Sequence, residues 1–92
     1  MDLKKYTINE QVNIVYKHAK QKYSELGGYE YVGIFNNGDL VCSNCMEERL
    51  HAIIDSIEMD IYDNWRIIEI ITEAELEYIG CSHCGKQLGY WD

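Results

Sequence analysis

The chain has 92 residues, 47% hydrophobic and 26% charged, with a formal net charge of −8. That length and balance predict one folded domain, 1–92, and exclude a disordered chain or a large multi-domain enzyme. The negative charge sets the chain against phosphate backbones, whose binding depends on neutralising them.

The charge is unevenly spread. Residues 1–22 hold Lys4, Lys5, Lys17, Lys20 and Lys22 against Asp2 and Glu10, a net of +3. Residues 23–92 hold three cations against fourteen carboxylates, a net of −11. Residues 1–30 lack the unbroken apolar core of a signal peptide, and no apolar run is long enough to span a bilayer.

Taken in order, Asn9 is a candidate cap for a first helix, with Val12, Val15, Tyr16, Ala19, Tyr23 and Leu26 along one face. Gly27-Gly28 is the expected stop. Lys17, Lys20 and Lys22 fall mostly on the other side and read as a solvated face, with His18 beside them given no specific role. Residues 29–35 are aromatic and β-branched, which favours a strand. Asn37-Gly38 is a hairpin centre, and Leu40-Val41 returns to deliver Cys42.

From Met46, the apolar positions Leu50, Ile53, Ile54, Ile57 and Ile61 keep helical spacing. Glu47, Glu48, Asp55, Glu58 and Asp63 line the face between them, and His51 reads as a partly buried structural residue. After a turn at Asp63-Asn64, residues 65–71 read as a central strand, apolar on both faces. Thr72-Glu73-Ala74-Glu75 matches a capping box and predicts a short helix through Tyr78, although residues 73–78 also alternate in the strand manner. Glu73, Glu75 and Glu77 form an exposed acidic patch on either reading, and Tyr90-Trp91 is expected to pack on the core. The fold class that follows is α+β: an N-terminal helix, a β-hairpin, a second helix and a short sheet.

All four cysteines fall into two pairs, Cys42-Ser43-Asn44-Cys45 and Cys81-Ser82-His83-Cys84, in the pattern C-x2-C-x35-C-x2-C. Such pairs supply thiolates from tight turns to a tetrahedral metal, and zinc is the metal this pattern favours. In each turn the amides after the first cysteine point back at its sulfur. Gly85 directly after Cys84 relieves crowding there, since it tolerates positive φ. Met46 stands in that place after Cys45, so the first turn must close differently or run straight into a helix.

Residues 40–46 and 80–88 resemble the knuckles of the broad group of zinc-ribbon-like proteins with four cysteine ligands. The resemblance implies one structural zinc ion on Cys42, Cys45, Cys81 and Cys84. Ribbons usually join their knuckles through a shorter hairpin, and here 35 residues and a helix intervene. Two other chemistries use similar pairs. Rubredoxin-like iron sites employ comparable turns, and a strand followed by C-x-x-C and a helix is the order of a thioredoxin-like dithiol. Thioredoxin-like proteins resemble one another in a proline facing that dithiol, whereas this chain has no proline. Two disulfides would require an oxidising compartment; thiols held by metal fit the cytoplasm.

No catalytic residues emerge. Four thiolates leave a metal no open position, and neither a phosphate loop nor a nucleophile motif is present. The leading expectation is therefore not an enzyme. It is an acidic, zinc-stabilised protein-binding module, an inhibitor or adapter of a basic nucleic-acid-handling protein such as a phage or mobile element might encode. The alternatives are a zinc ribbon that binds nucleic acid through the early lysines, and a dithiol redox protein.

Overall fold

A capping box starts the first helix: Thr7 Oγ1 accepts from the Glu10 amide at 3.2 Å, and Glu10 accepts from the Thr7 amide at 3.0 Å. The cap is thus Thr7 and not Asn9, because the glutamate three residues on completes the box. A short 3-10 turn, Leu3–Lys5, precedes it and buries Leu3. The computed structural model describes the whole chain except residues 26, 77, 78 and 90–92, and at position 79 the backbone alone. The expected packing of Tyr90-Trp91 and the proposed helical places of Leu26 and Tyr78 lie outside the described residues.

Helix α1 (Ile8–Gln21) buries Gln11, Val15, His18 and Ala19. It ends before the glycine pair, at Lys22, which takes a positive φ of 68°. Strand β1 (Tyr31–Phe35) pairs antiparallel with β2 (Leu40–Cys42) and with β3 (Ile67–Thr72). The sheet order is β2-β1-β3, so the central strand is β1. β3 was the expected centre, and its apolar run is accounted for differently. Ile67 and Ile70 enter the core, while Ile68 and Ile71 are only half-buried. Its free edge meets the chain start, where Ile70 exchanges hydrogen bonds with Met1 in both directions and Asp2 bridges Glu69.

Gly38 occupies the hairpin turn with φ +92°, as the Asn-Gly pair predicts. Gly33, at the middle of β1, answers to packing. A Cβ there would lie 2.5 Å from Ile67 Cδ1 and 2.9 Å from Met46 Sδ. Gly33→Ala should therefore destabilise the domain by about 1–3 kcal/mol, read from the urea midpoint at unchanged slope.

The single helix expected from Met46 is two: α2 (Ser43–Glu48) and α3 (Leu50–Glu58), broken at Arg49. The break lets α2 begin at the cysteine turn while α3 lies against α1. Met46, Ile53 and Ile57 pack in one core with Val15, Ala19, Val32, Phe35, Val41 and Ile67. Arg66 is also buried, and β3 begins at Ile67, two residues later than the sequence suggests. Its guanidinium donates to Gln11 Oε1, Asp60 Oδ1 and the carbonyls of Ser56 and Ile61, and it lies 4.3 Å from the Tyr62 ring. These partners satisfy a charge that would otherwise be destabilising inside. Asp60, at φ 54°, is the residue that reaches it from the end of α3.

After β3 the capping box at Thr72 and Glu75 is present, but it starts only a 3-10 turn, Glu73–Glu75. A two-stranded hairpin of β4 (Ile79–Gly80) and β5 (Gln87–Leu88) follows, and it carries the second cysteine pair. The architecture is α+β, with the four cysteines gathered where the two hairpins meet.

Candidate metal centre

The first pair grows out of the β1-β2 hairpin. Cys42 ends β2 and is the N-cap of α2, so Cys45 sits in the first turn of that helix. The chain therefore needs no glycine after Cys45; it runs straight into a helix. The second pair is the tip of the β4-β5 hairpin. Gly85 has φ +77° and donates to the Cys81 carbonyl at 2.9 Å, closing the turn. Ser82 donates to the Leu40 carbonyl at 2.8 Å, which lays this turn along the outer edge of β2.

The four sulfurs lie within 4.8 Å of one another, and all four cysteines are free thiols. Cys42 Sγ is 3.7 Å from Cys84 Sγ, and Cys81 Sγ is 3.8 Å from Cys45 Sγ. A tetrahedron of thiolates about 2.3 Å from a central ion has edges of about 3.8 Å. The cluster could hold one metal ion on the expected residues. Cys42, Cys45 and Cys81 are buried and Cys84 is exposed. Among the described residues, no other group of three or more His, Cys, Asp or Glu gathers in this way.

The electrostatics separate the thiols. Burial raises the pKa of Cys42, and it raises Cys45 further, with Cys84 and Cys42 adding to the rise. Burial also pushes Cys81 up, but the amides of Cys42, Cys84 and His83 outweigh it and bring this thiol down to about 7. The Cys42 amide is 3.4 Å from the sulfur. Two thiols raised by burial beside one lowered by backbone amides make a site where a cation would displace the bound protons.

A buried carboxylate ties the two turns together. Glu30 is 2% exposed and accepts from the Ser43 amide at 3.0 Å and the Ser43 hydroxyl at 2.9 Å. It thereby caps α2, which has no side-chain cap of its own. Its other oxygen accepts from Lys86 Nζ at 2.5 Å, two residues beyond Cys84. Burial would raise the Glu30 pKa, yet Lys86 and Ser43 hold it below the ordinary value, and Glu30 raises that of Lys86. His83 docks the second turn from the other side. Its ring centroid is 5.5 Å from Phe35 and 5.7 Å from Trp65, and the Arg49 guanidinium lies over Trp65. Neither Glu30 nor His83 has a motif that would single it out in the sequence.

The other histidines correct the sequence reading. His18, given no role, is buried; its Nδ1 donates to the Ile14 carbonyl at 2.7 Å, and its ring meets Tyr31 edge-on. His51, expected to be partly buried, is exposed. The lysine face is partly spent inside the molecule. Lys20 and Lys22 lie 3.4 and 3.3 Å from Glu47, and Lys22 also donates to Asn44 between the first two cysteines. Of the acidic patch, Glu75 is exposed and Glu73 half-buried, while Glu77 lies outside the described residues.

Among the described residues no helix is long and apolar enough to cross a membrane. Compared with models of known protein families, with curated proteins and with solved structures, the chain matches none.

Proposed function

We propose that Cys42, Cys45, Cys81 and Cys84 bind one structural zinc ion, and that the clamped domain is a non-enzymatic protein-binding module of the cytoplasm. The observation that carries the metal is the sulfur spacing, which suits a closed tetrahedral shell. Zinc loading of four thiolates would take the formal charge from −8 to about −10. Four thiolate donors leave zinc neither an open position nor much Lewis acidity, which favours a scaffold over a catalyst.

The charge supports a basic protein partner. Two of the five early lysines are already paired with Glu47, so the positive face available to a phosphate backbone is smaller than the sequence suggests. An acidic surface speeds association with a basic protein and disfavours nucleic acid. An inhibitor or adapter of a nucleic-acid-handling protein is the role this combination suits.

The test is a pull-down with tagged, metal-loaded protein, with and without nuclease, alongside elemental analysis. The expected preparation is colourless, with one equivalent of zinc and a roughly stoichiometric protein partner that survives nuclease. A coloured iron protein would overturn the metal, and recovery lost to nuclease would overturn the partner.

A further inference from the structure

A groove of about 290 Å³ runs between the first and third helices, lined by Tyr16 of α1 and by Leu50, His51, Ile54, Asp55 and Glu58 of α3. Leu50 and Ile54 are half-buried, and Tyr16 keeps 52% of its surface exposed. Positions 50, 54 and 58 make one ridge along α3, so an apolar strip leads into a carboxylate. Met59, next in the chain, is 68% exposed.

On this face an apolar groove meets carboxylates whose side chains are uncommitted. Several carboxylates elsewhere serve the fold: Glu30 binds Lys86, Glu47 binds Lys20 and Lys22, Asp60 binds Arg66, and Asp63 accepts from Ser56. The side chains of Asp55, Glu58 and neighbouring Glu48 have no ion pair or hydrogen bond among the described residues, and neither does that of His51. The cation beside the groove, Lys20, lies 5.7 Å from the Tyr16 ring centroid and is itself paired with Glu47.

We infer that this groove receives a cationic amphipathic helix of a partner protein. Large apolar side chains of that helix sit between Tyr16, Leu50 and Ile54, and its lysines or arginines pair with Asp55 and Glu58. The inference rests on the protein-binding reading and names the face and the partner chemistry. Two packed helices offer a third one a groove between their ridges, and helix-in-groove recognition uses apolar anchors at the same three-and-four spacing. The unpaired carboxylates set the sign of the flanking charge.

The test is a titration of ¹⁵N-labelled, zinc-loaded protein with a short helical peptide of leucine and lysine, against the same peptide with glutamate for lysine. The lysine peptide should shift the amides of Tyr16, Leu50, Ile54, Asp55 and Glu58 to saturation, and the glutamate peptide should not. Ile54→Gln and Glu58→Lys should each weaken binding about tenfold. Glu58 is exposed, so its variant keeps the test valid should Ile54→Gln perturb the fold.

Shifts centred on Glu69 and Glu73 instead, or equal binding by both variants, would overturn the inference. So would concentration-dependent shifts at the groove without peptide, which would make a second copy its occupant. A protein captured from lysate equally well by wild type and Glu58→Lys would leave the module reading standing and remove the groove. A peptide seated in the groove with no nuclease-resistant protein captured would do the reverse.

Discussion

If the four cysteines hold zinc as proposed, chelation at neutral pH should unfold this domain. Binding of a structural zinc contributes on the order of 10–16 kcal/mol in small zinc domains, against a total stability of about 5–15 kcal/mol for a folded protein. Here Cys42, Cys45 and Cys81 are themselves in the hydrophobic core, and the second cysteine turn hangs on a hairpin of two-residue strands. Such a hairpin has too little ladder to hold itself in place. Cys84→Ser is the sharper form of the experiment. Cys84 is exposed, so the substitution removes a ligand without opening a cavity. The expected outcome is loss of stoichiometric metal, and loss of the cooperative thermal transition followed by circular dichroism. A variant that stays folded while losing thiol reactivity would instead favour the dithiol reading.

Glu30 should give the second largest effect. Glu30→Ala leaves the buried Ser43 amide and hydroxyl at the start of α2 without their acceptor, at about 1–3 kcal/mol. Lys86, 38% exposed, can turn to water and adds little. Glu30→Gln can still accept from Ser43 but forfeits the ion pair. Its expected signature is a fall of about ten- to a hundred-fold in metal affinity, the usual consequence of losing a group that orients ligands.

The pH dependence has a defined sign. The Glu30 pKa is held below its ordinary 4.5, so its contribution is complete above that value and is lost as pH falls below it. Lys86, raised above 10.5, contributes fully below that value and loses its part as pH rises past it. Metal release on acidification, followed with a chromogenic chelator, should therefore begin at higher pH in Glu30→Gln than in the wild type. Identical release curves and affinities would reduce Glu30 to a helix cap.

The clustering of the four cysteines was the most legible part of the sequence, because paired thiols two residues apart mark a tight turn. Gly85 and Gly38 were legible for the same local reason, each sitting where positive φ is required. What escaped were features decided by distant residues. The apolar run of residues 67–71 suggests a central strand, but the chain start covers its outer edge, and nothing local encodes that. The apolar spacing after Met46 continues across Arg49 although the helix does not, since α2 is set by the first cysteine turn and α3 by α1. Glu30, His18 and Arg66 look like surface residues in the sequence. Each is buried because its partner arrives from a different element: Lys86, Tyr31 and Gln11 respectively. The α1-α3 groove belongs to the same class, since Tyr16 and Ile54 carry no signal that they end side by side with unpaired acids.

The hydrogen bond from Ser82 to Leu40 reaches beyond the metal centre. It occupies the outer rim of β2 at Leu40, as Met1 and Asp2 occupy that of β3 at Glu69 and Ile70, so both outer strands are blocked at those points against a strand of another molecule. Only the second of these covers is independent of the cysteines. Metal loss would bare an apolar strand, Leu40-Val41, with its backbone donors and acceptors open to a like strand from a neighbour. The metal-free chain should therefore form β-rich aggregates, and zinc would act as this protein's safeguard of solubility.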